Sequence, residues 1–210
     1  MYQYLSAHPD VAPSGRKETD YFRSPLPHSQ SAYEALFPGA EPGMLRMEAS
    51  PGYLAESHLA APAIAALIPD AKLLFILRDP IDRLLSSFAF HKSRFFIPQD
   101  LSFDAYIDLC ARFERGEIGP GEAKLGEWFL RVPDAGRYAR HLRDYEACFA
   151  NGQVKVMTLD ALQRDARGFM RSVCAWAGLD DAFYDAFDFV RANVTFSPRR
   201  AWLQRVGLWV

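Results

Sequence analysis

Residues 72–94 read KLLFILRDPIDRLLSSFAFHKSR, and this stretch decides the fold. Lys72–Leu77 is a short apolar run, the pattern of a strand covered on both faces in a parallel sheet. Asp79-Pro80 signals a helix start, because Asp can cap and Pro is tolerated at the first helical position. Ile81, Leu84, Leu85 and Phe88 then recur at helical spacing and predict one apolar face. Arg78 falls at the carboxyl end of the strand, where open α/β sheets take ligands. Ser86 falls on the side of the helix away from that apolar stripe. An Arg at a strand end, a helix N-terminus and an off-core Ser make an anion site. The same spacing also describes an ordinary βα unit with a surface Arg and Ser, and on spacing alone that is the commoner case.

Outward from this unit the chain alternates short strands and helices. Met1–Ala7 reads as helix and Val11-Ala12 as a short strand, followed by a long loop over Pro13–Pro27. Arg16–Phe22 lies in that loop, where charges beside an aromatic pair either line a site or form a solvated segment pinned by Tyr21 and Phe22. Ser31–Phe37 reads as a short helix and Met44–Ala49 as a strand. A helix from about Leu54 to Leu67 is expected to kink or break at Pro62. Glu48, at the end of its strand, is either a site residue or the partner of a neighbouring Arg. Further on, Phe103–Glu114 is helical, and Asp134 starts a helix to Phe149 with Tyr138, His141, Leu142, Tyr145 and Phe149 on one stripe. His141 there reads as a hydrogen-bonded core histidine. Gln153–Leu159 alternates as a strand, and Asp165–Ala177 is a helix stopped by Gly178. An extended piece at Asn193–Phe196 and an amphipathic helix close the chain.

Length and composition bound the rest. The 210 residues suit one α/β domain over 1–210 with a full core, and 50% hydrophobic with 24% charged residues is ordinary for a globular protein. A formal net charge of -2 gives no basic character that would argue for nucleic acid. Cys110, Cys148 and Cys174 have no metal-type spacing and read as free core thiols, which makes a reducing, cytoplasmic setting the simplest expectation and no metal site. No stretch has the apolar length of a membrane span, and the first residues do not have a signal-peptide pattern.

Several pieces, in order, resemble the sulfotransferases that use 3′-phosphoadenosine 5′-phosphosulfate, on the heparan-sulfate-type and bacterial side of that superfamily. ILRDPIDRLLSSF is similar to the family's 3′-phosphate-binding segment, in which an Arg ends a strand and a Ser follows eight positions later. YLSAHPDVA resembles the helix and strand after the family's first loop. KETDYF resembles K-x-E-x-H-F-F, and MEASPGYL resembles E-K-(S/T)-P-x-Y-F, carrying over Glu48, Ser50, Pro51 and Tyr53. The late pieces GRYARHLRDYEACF, QVKVMTLDAL and VCAWAGL resemble scaffold.

The resemblance implies a three-layer α/β fold, a parallel central sheet flanked by helices, of the P-loop-nucleotide-hydrolase-like type. It implies Glu18 as general base toward an acceptor hydroxyl or amine, with a carbohydrate as the expected acceptor. It implies Arg78 and Ser86 as the clamp on the donor's 3′-phosphate. Arg199, in a tail where the family closes over the nucleotide with basic residues, joins the nucleotide-binding set, beside Arg191 and Arg200. Two departures stand out. Asp20 and Ala49 replace the family's His and Lys, so one cation near the sulfuryl group is missing. The family's Gly/Thr-rich phosphosulfate loop has no counterpart in the chain, and the sequence starts within the helix that follows it. The expectation is therefore a fold whose first strand is missing from this sequence, and an enzyme that is weak or inactive in this form, or a non-catalytic relative that binds nucleotide or serves as a scaffold.

Overall fold

The computed structural model describes residues 1–24 and 27–190. In chain order the regular elements are α1 (Tyr2–Ser6), β1 (Val11–Pro13), α2 (Gln30–Glu34), β2 (Leu45–Met47), α3 (Gly52–Ala55), α4 (Ser57–Leu67), β3 (Leu73–Leu77), α5 (Pro80–Ser93), α6 (Phe103–Glu114), α7 (Pro120–Ala123), α8 (Glu127–Leu130), α9 (Tyr138–Cys148), β4 (Val154–Thr158), α10 (Leu159–Arg164) and α11 (Ala166–Ala177). The predicted tail strand and helix, and Arg191, Arg199 and Arg200, lie outside the described residues. The described residues fall into two compact units, one of Met1–Arg78 with Tyr138–Phe189, the other containing Asp79–Arg137.

The first unit is α/β with parallel strands. β1 pairs with β2, setting Val11 beside Leu45 and Pro13 beside Met47, and β3 pairs with β4, setting Leu73 beside Val154 and Leu77 beside Thr158. Parallel pairs need crossover connections, and α2 and the α9 region supply them. Among the described residues no ladder joins β2 to β3.

β3 shows why an unbroken apolar run is a strand here. Leu74 and Ile76 pack against the cluster built by Leu5, Leu162, Phe169, Met170, Val173, Cys174 and Tyr184. Leu73 and Phe75, on the opposite face, pack against Phe22, Tyr53, Ala60, Ala61, Ile64, Tyr145 and Phe149. Both faces are thus covered, as the run predicts, yet every residue of β3 stays partly exposed, and among the described residues only one of its edges carries a partner strand. α4 lies against α9 through small residues: Ala60 and Ala61 are fully buried, which lets the Tyr145 ring sit at 0% exposure. The Tyr145 hydroxyl donates to the Tyr53 carbonyl at 2.8 Å, so its buried polar end is satisfied. His141 is the hydrogen-bonded core histidine expected, 3.2 Å through Nδ1 from Ser57 Oγ, which also donates to Asp144 at 2.6 Å.

The predicted break at Pro62 is not where the helix breaks. The chain kinks at Glu56 (φ -110°, ψ 38°), between α3 and α4, and Pro62 lies inside an intact α4. Pro62 and His58 are exposed, so water can reach the carbonyl that proline leaves without its helical donor.

In the second unit, Asp79 caps α5 as the sequence implies, its Oδ1 accepting from the amides of Ile81 (2.9 Å) and Asp82 (3.0 Å). The apolar face of α5 is rotated from the predicted one. Ile81 is 67% and Leu85 44% exposed, while Leu84 and Phe88 pack on the core of Ile97, Tyr106, Cys110, Leu125 and Leu130 and His91 is buried further along. The face that packs is therefore 84-88-91, an i, i+4, i+7 stripe. Cys110 and Cys174 are buried free thiols, whereas Cys148 is exposed.

Candidate functional site

Glu18, Glu48 and Arg78 each lie in a segment that leaves the carboxyl end of a strand. After β1 the chain turns through Ser14–Asp20 and closes against the segment that leaves β2. Ser14 N–H donates to the Met47 carbonyl at 2.8 Å and Glu18 N–H to the Ala49 carbonyl at 3.2 Å. Glu18 and Asp20 both adopt left-handed backbone conformations, φ 58° and 53°. Asp tolerates that region, but for Glu it is a strained choice. The consequence is that Glu18 projects outward with its side chain 50% exposed, 3.3 Å from Lys17 Nζ, whereas Thr19 between the two turns inward and is buried. An exposed carboxylate held by its backbone rather than its side chain can accept a proton from an incoming hydroxyl.

Beneath the loop, Glu48 gathers hydroxyls. Thr19 Oγ1 donates to its Oε2, Ser50 Oγ donates to the same oxygen at 3.2 Å, and the Tyr53 hydroxyl donates to Oε1 at 2.8 Å. Those hydroxyls also hold the backbone: the Asp20 amide donates to Ser50 Oγ at 3.0 Å and the Phe22 amide to the Tyr53 hydroxyl at 3.2 Å. Burial pushes the Glu48 carboxyl above the usual carboxylate range, outweighing the opposite pull of the three hydroxyl hydrogen bonds. Burial and the neighbouring Glu48 charge push the Tyr53 hydroxyl up to about 12. Of the two sequence alternatives for Glu48, a site residue or the partner of a neighbouring Arg, the second is not what its contacts among the described residues show. Its partners are hydroxyls spaced 29, 2 and 5 positions away. Ser50 and Tyr53 could be found through the MEASPGYL pattern; nothing in the sequence marked Thr19.

Arg23 continues the same wall, with its guanidinium 2.7 Å from Glu56 and 3.3 Å from Asp20. Gly52 lies close to this crossing: a Cβ there would fall 2.9 Å from the far end of the Arg23 side chain, which would have to shift.

Arg78 follows the last residue of β3, and its carbonyl accepts from the Tyr138 hydroxyl at 2.9 Å. Ser86 is partly buried on α5. The unit boundary runs between Arg78 and Asp79, so Glu18 and Arg78 belong to the first unit and Ser86 to the second. Arg199 lies outside the described residues. By donor chemistry, a guanidinium such as that of Arg78 and a hydroxyl such as that of Ser86 are each groups that can bond a phosphate oxygen. The loop between β2 and α3 offers no comparable cradle for a second anionic group: position 49 is Ala, and the chain contains no Gly-rich G-x-x-x-x-G-K-[ST] run. No group of His, Cys, Asp or Glu suited to hold a metal occurs among the described residues, and no described helix is long and apolar enough to cross a membrane.

Known proteins agree with the architecture. The family described as the sulfotransferase domain matches residues 13–199. Mouse heparan sulfate glucosamine 3-O-sulfotransferase 3B1 is 29% identical over 180 residues, covering 85% of this chain and 42% of that protein. Human heparan sulfate glucosamine 3-O-sulfotransferase 6 is 27% identical over 196 residues, covering 93% and 53%. The chain thus spans about half the length of these curated relatives. The crystal structure of a sulfotransferase from Alicyclobacillus acidocaldarius superposes with a TM-score of 0.69 at 27% identity, covering 98% of this chain and 83% of that one. A family match running from the end of β1 almost to the end of the chain, on an α/β frame with parallel strands, makes this chain a member of the sulfotransferase domain family.

Proposed function

We propose that this protein transfers a sulfuryl group from 3′-phosphoadenosine 5′-phosphosulfate to a hydroxyl or amine of a carbohydrate acceptor. The observation that carries the reading is Glu18: an exposed carboxylate, on a rigidly held loop at a strand end, within the segment that resembles the family's base-bearing motif. Sulfuryl transfer resembles phosphoryl transfer in needing little covalent work from the protein and much positioning and charge stabilisation. Glu18 Oε accepts the acceptor's proton, and Arg78 and Ser86 hold the donor's 3′-phosphate. The similarity to heparan sulfate 3-O-sulfotransferases supports a carbohydrate acceptor. A cytoplasmic location belongs to the same reading and rests on three unpaired cysteines. A second reading, a nucleotide-binding or scaffold protein without catalysis, is favoured by Ala49, which stands where the family pattern carries a lysine.

Thermal-shift titration with adenosine 3′,5′-bisphosphate, followed by a sulfate-transfer assay on oligosaccharides, tests the pair. A shift with transfer supports the enzyme, and a shift without transfer supports the second reading. An absent shift removes nucleotide binding from this chain. Arg78→Ala is expected to weaken the bisphosphate by more than about ten-fold, on the scale of losing a charge-assisted contact to phosphate. An unchanged affinity takes Arg78 out of the site.

A further inference from the structure

We propose that Glu48 is a positioning residue: through Thr19 it holds the 16–22 loop in the backbone conformation that presents the Glu18 carboxylate. The proposal rests on the sulfotransferase reading for the role of Glu18, and on geometry alone for the holding.

A left-handed Glu is strained, and such strain persists only where the surroundings over-determine it. The loop shows what does so. Arg16 donates to the carbonyl of Thr19 at 2.9 Å, and Ser14 Oγ donates to that of Arg16 at 2.8 Å, so the outer side of the loop is tied by its own residues. The inner side is tied to one carboxylate. Thr19, between the two left-handed residues, donates to Glu48, and its Oγ1 also accepts from the Tyr21 amide at 3.3 Å. The Asp20 and Phe22 amides reach Glu48 at one remove, through Ser50 and Tyr53.

Remove the carboxylate and three hydroxyls lose their common acceptor, and two backbone donors, the part-buried amide of Asp20 and the buried one of Phe22, lose the groups that orient their own acceptors. Among the described residues Glu48 makes no ion pair; its partners are hydroxyls. The titratable groups that feel its charge, or it theirs, are Asp20 on the loop, Tyr53 on α3 and Tyr33 on α2, and the charge of Arg46 on β2 acts on Tyr33. Arg46 is engaged 3.6 Å away with Glu34. An unneutralised, largely desolvated carboxylate is costly to keep where no ion pair needs it, and the hydroxyl cluster is the return on that cost.

The test compares Glu48→Gln, Glu48→Ala, Thr19→Val and Thr19→Ser with the unsubstituted chain. The readouts are sulfate transfer, thermal midpoint and amide hydrogen exchange at Asp20 and Phe22. Glu48→Gln and Thr19→Val are expected to lower kcat by about 100-fold, the scale of a misplacement of about 1 Å, with KM for donor and acceptor nearly unchanged. Thr19→Ser, which keeps the hydroxyl, restores kcat. Exchange at Asp20 and Phe22 rises by at least about ten-fold in Glu48→Ala while amides of β3 and β4 keep their protection, as a local opening requires. Unchanged exchange at those two amides overturns the proposal. So does a kcat loss in Thr19→Ser as deep as in Thr19→Val. If the unsubstituted chain transfers no sulfate, the enzymatic reading fails, while the exchange result still decides whether Glu48 holds the loop.

Discussion

At the scale of single residues, proton balance at Glu48 gives a measurable signature. Its carboxyl is raised in the folded chain above its ordinary value of 4.5, so it stays protonated over a pH range in which the unfolded chain has already lost that proton. Folding takes up a proton there, and stability falls as pH rises through the window from the ordinary value to the raised one. Urea unfolding at a series of pH values is expected to show this slope, and Glu48→Gln is expected to flatten it. A second outcome concerns thiols. Burial pushes Cys110 and Cys174 up to about 11, whereas Cys148 is exposed. One thiol per folded chain is therefore expected to react quickly with a chromogenic disulfide reagent near neutral pH, and the other two only on unfolding. Rapid reaction of all three would mean that the two cores are open.

The residue scale is also where sequence reading had sharp limits. Glu18 and Arg78 could be placed because each lies in a patterned segment beside a strand. Thr19 could not, because its importance comes from a backbone that turns left-handed on both sides of it, and φ has no signature in residue type when the residue is Glu.

At the scale of elements, start and stop signals were unevenly legible. Asp134, expected to start a helix, opens only a short 3-10 turn, and α9 begins at Tyr138. Asp79 caps α5, and Gly178 ends α11 in a left-handed conformation at φ 83°, as the sequence implies. These are local interactions, fixed by residues within four positions of one another. Asp79→Ala is expected to lower stability by about 1 kcal/mol in chemical denaturation, the usual cost of an N-cap. Faces were less legible. The four apolar residues of α5 formed one plausible stripe, but packing chose Leu84 and Phe88 and left Ile81 and Leu85 partly exposed. Which edge of a broad stripe is used depends on the neighbouring helices, and the spacing within one helix cannot encode that. The break at Glu56 instead of Pro62 has the same origin: exposure of His58 and Pro62 decides whether proline is tolerated, and exposure is a tertiary property.

At the scale of the whole molecule, β3 organises the first unit because its alternate side chains enter two separate cores. Met170, at 0% exposure in one of them, is expected to cost about 2–5 kcal/mol when cut to Ala, as measured by urea midpoint. A loss well below 1 kcal/mol would show that this core can collapse around the gap. The parallel α/β class could be read from the run 73–77 and the alternation of elements, but the pairing of the strands could not. Parallel partners are distant in sequence, and Leu73 meets Val154 across eighty positions of chain.

Each strand here has one paired edge among the described residues, and the other edge keeps a row of backbone donors and acceptors without a ladder. That has a practical side for anyone handling the protein. Open edges template pairing between molecules, and Val156 on β4, 45% exposed, adds an apolar contact to one of them. Turbidity and light scattering of concentrated stocks are therefore expected to rise with concentration more steeply than a net charge of -2 alone would explain. Val156→Lys, which puts a cation on that strand, is expected to lengthen shelf life while leaving the melting temperature nearly unchanged.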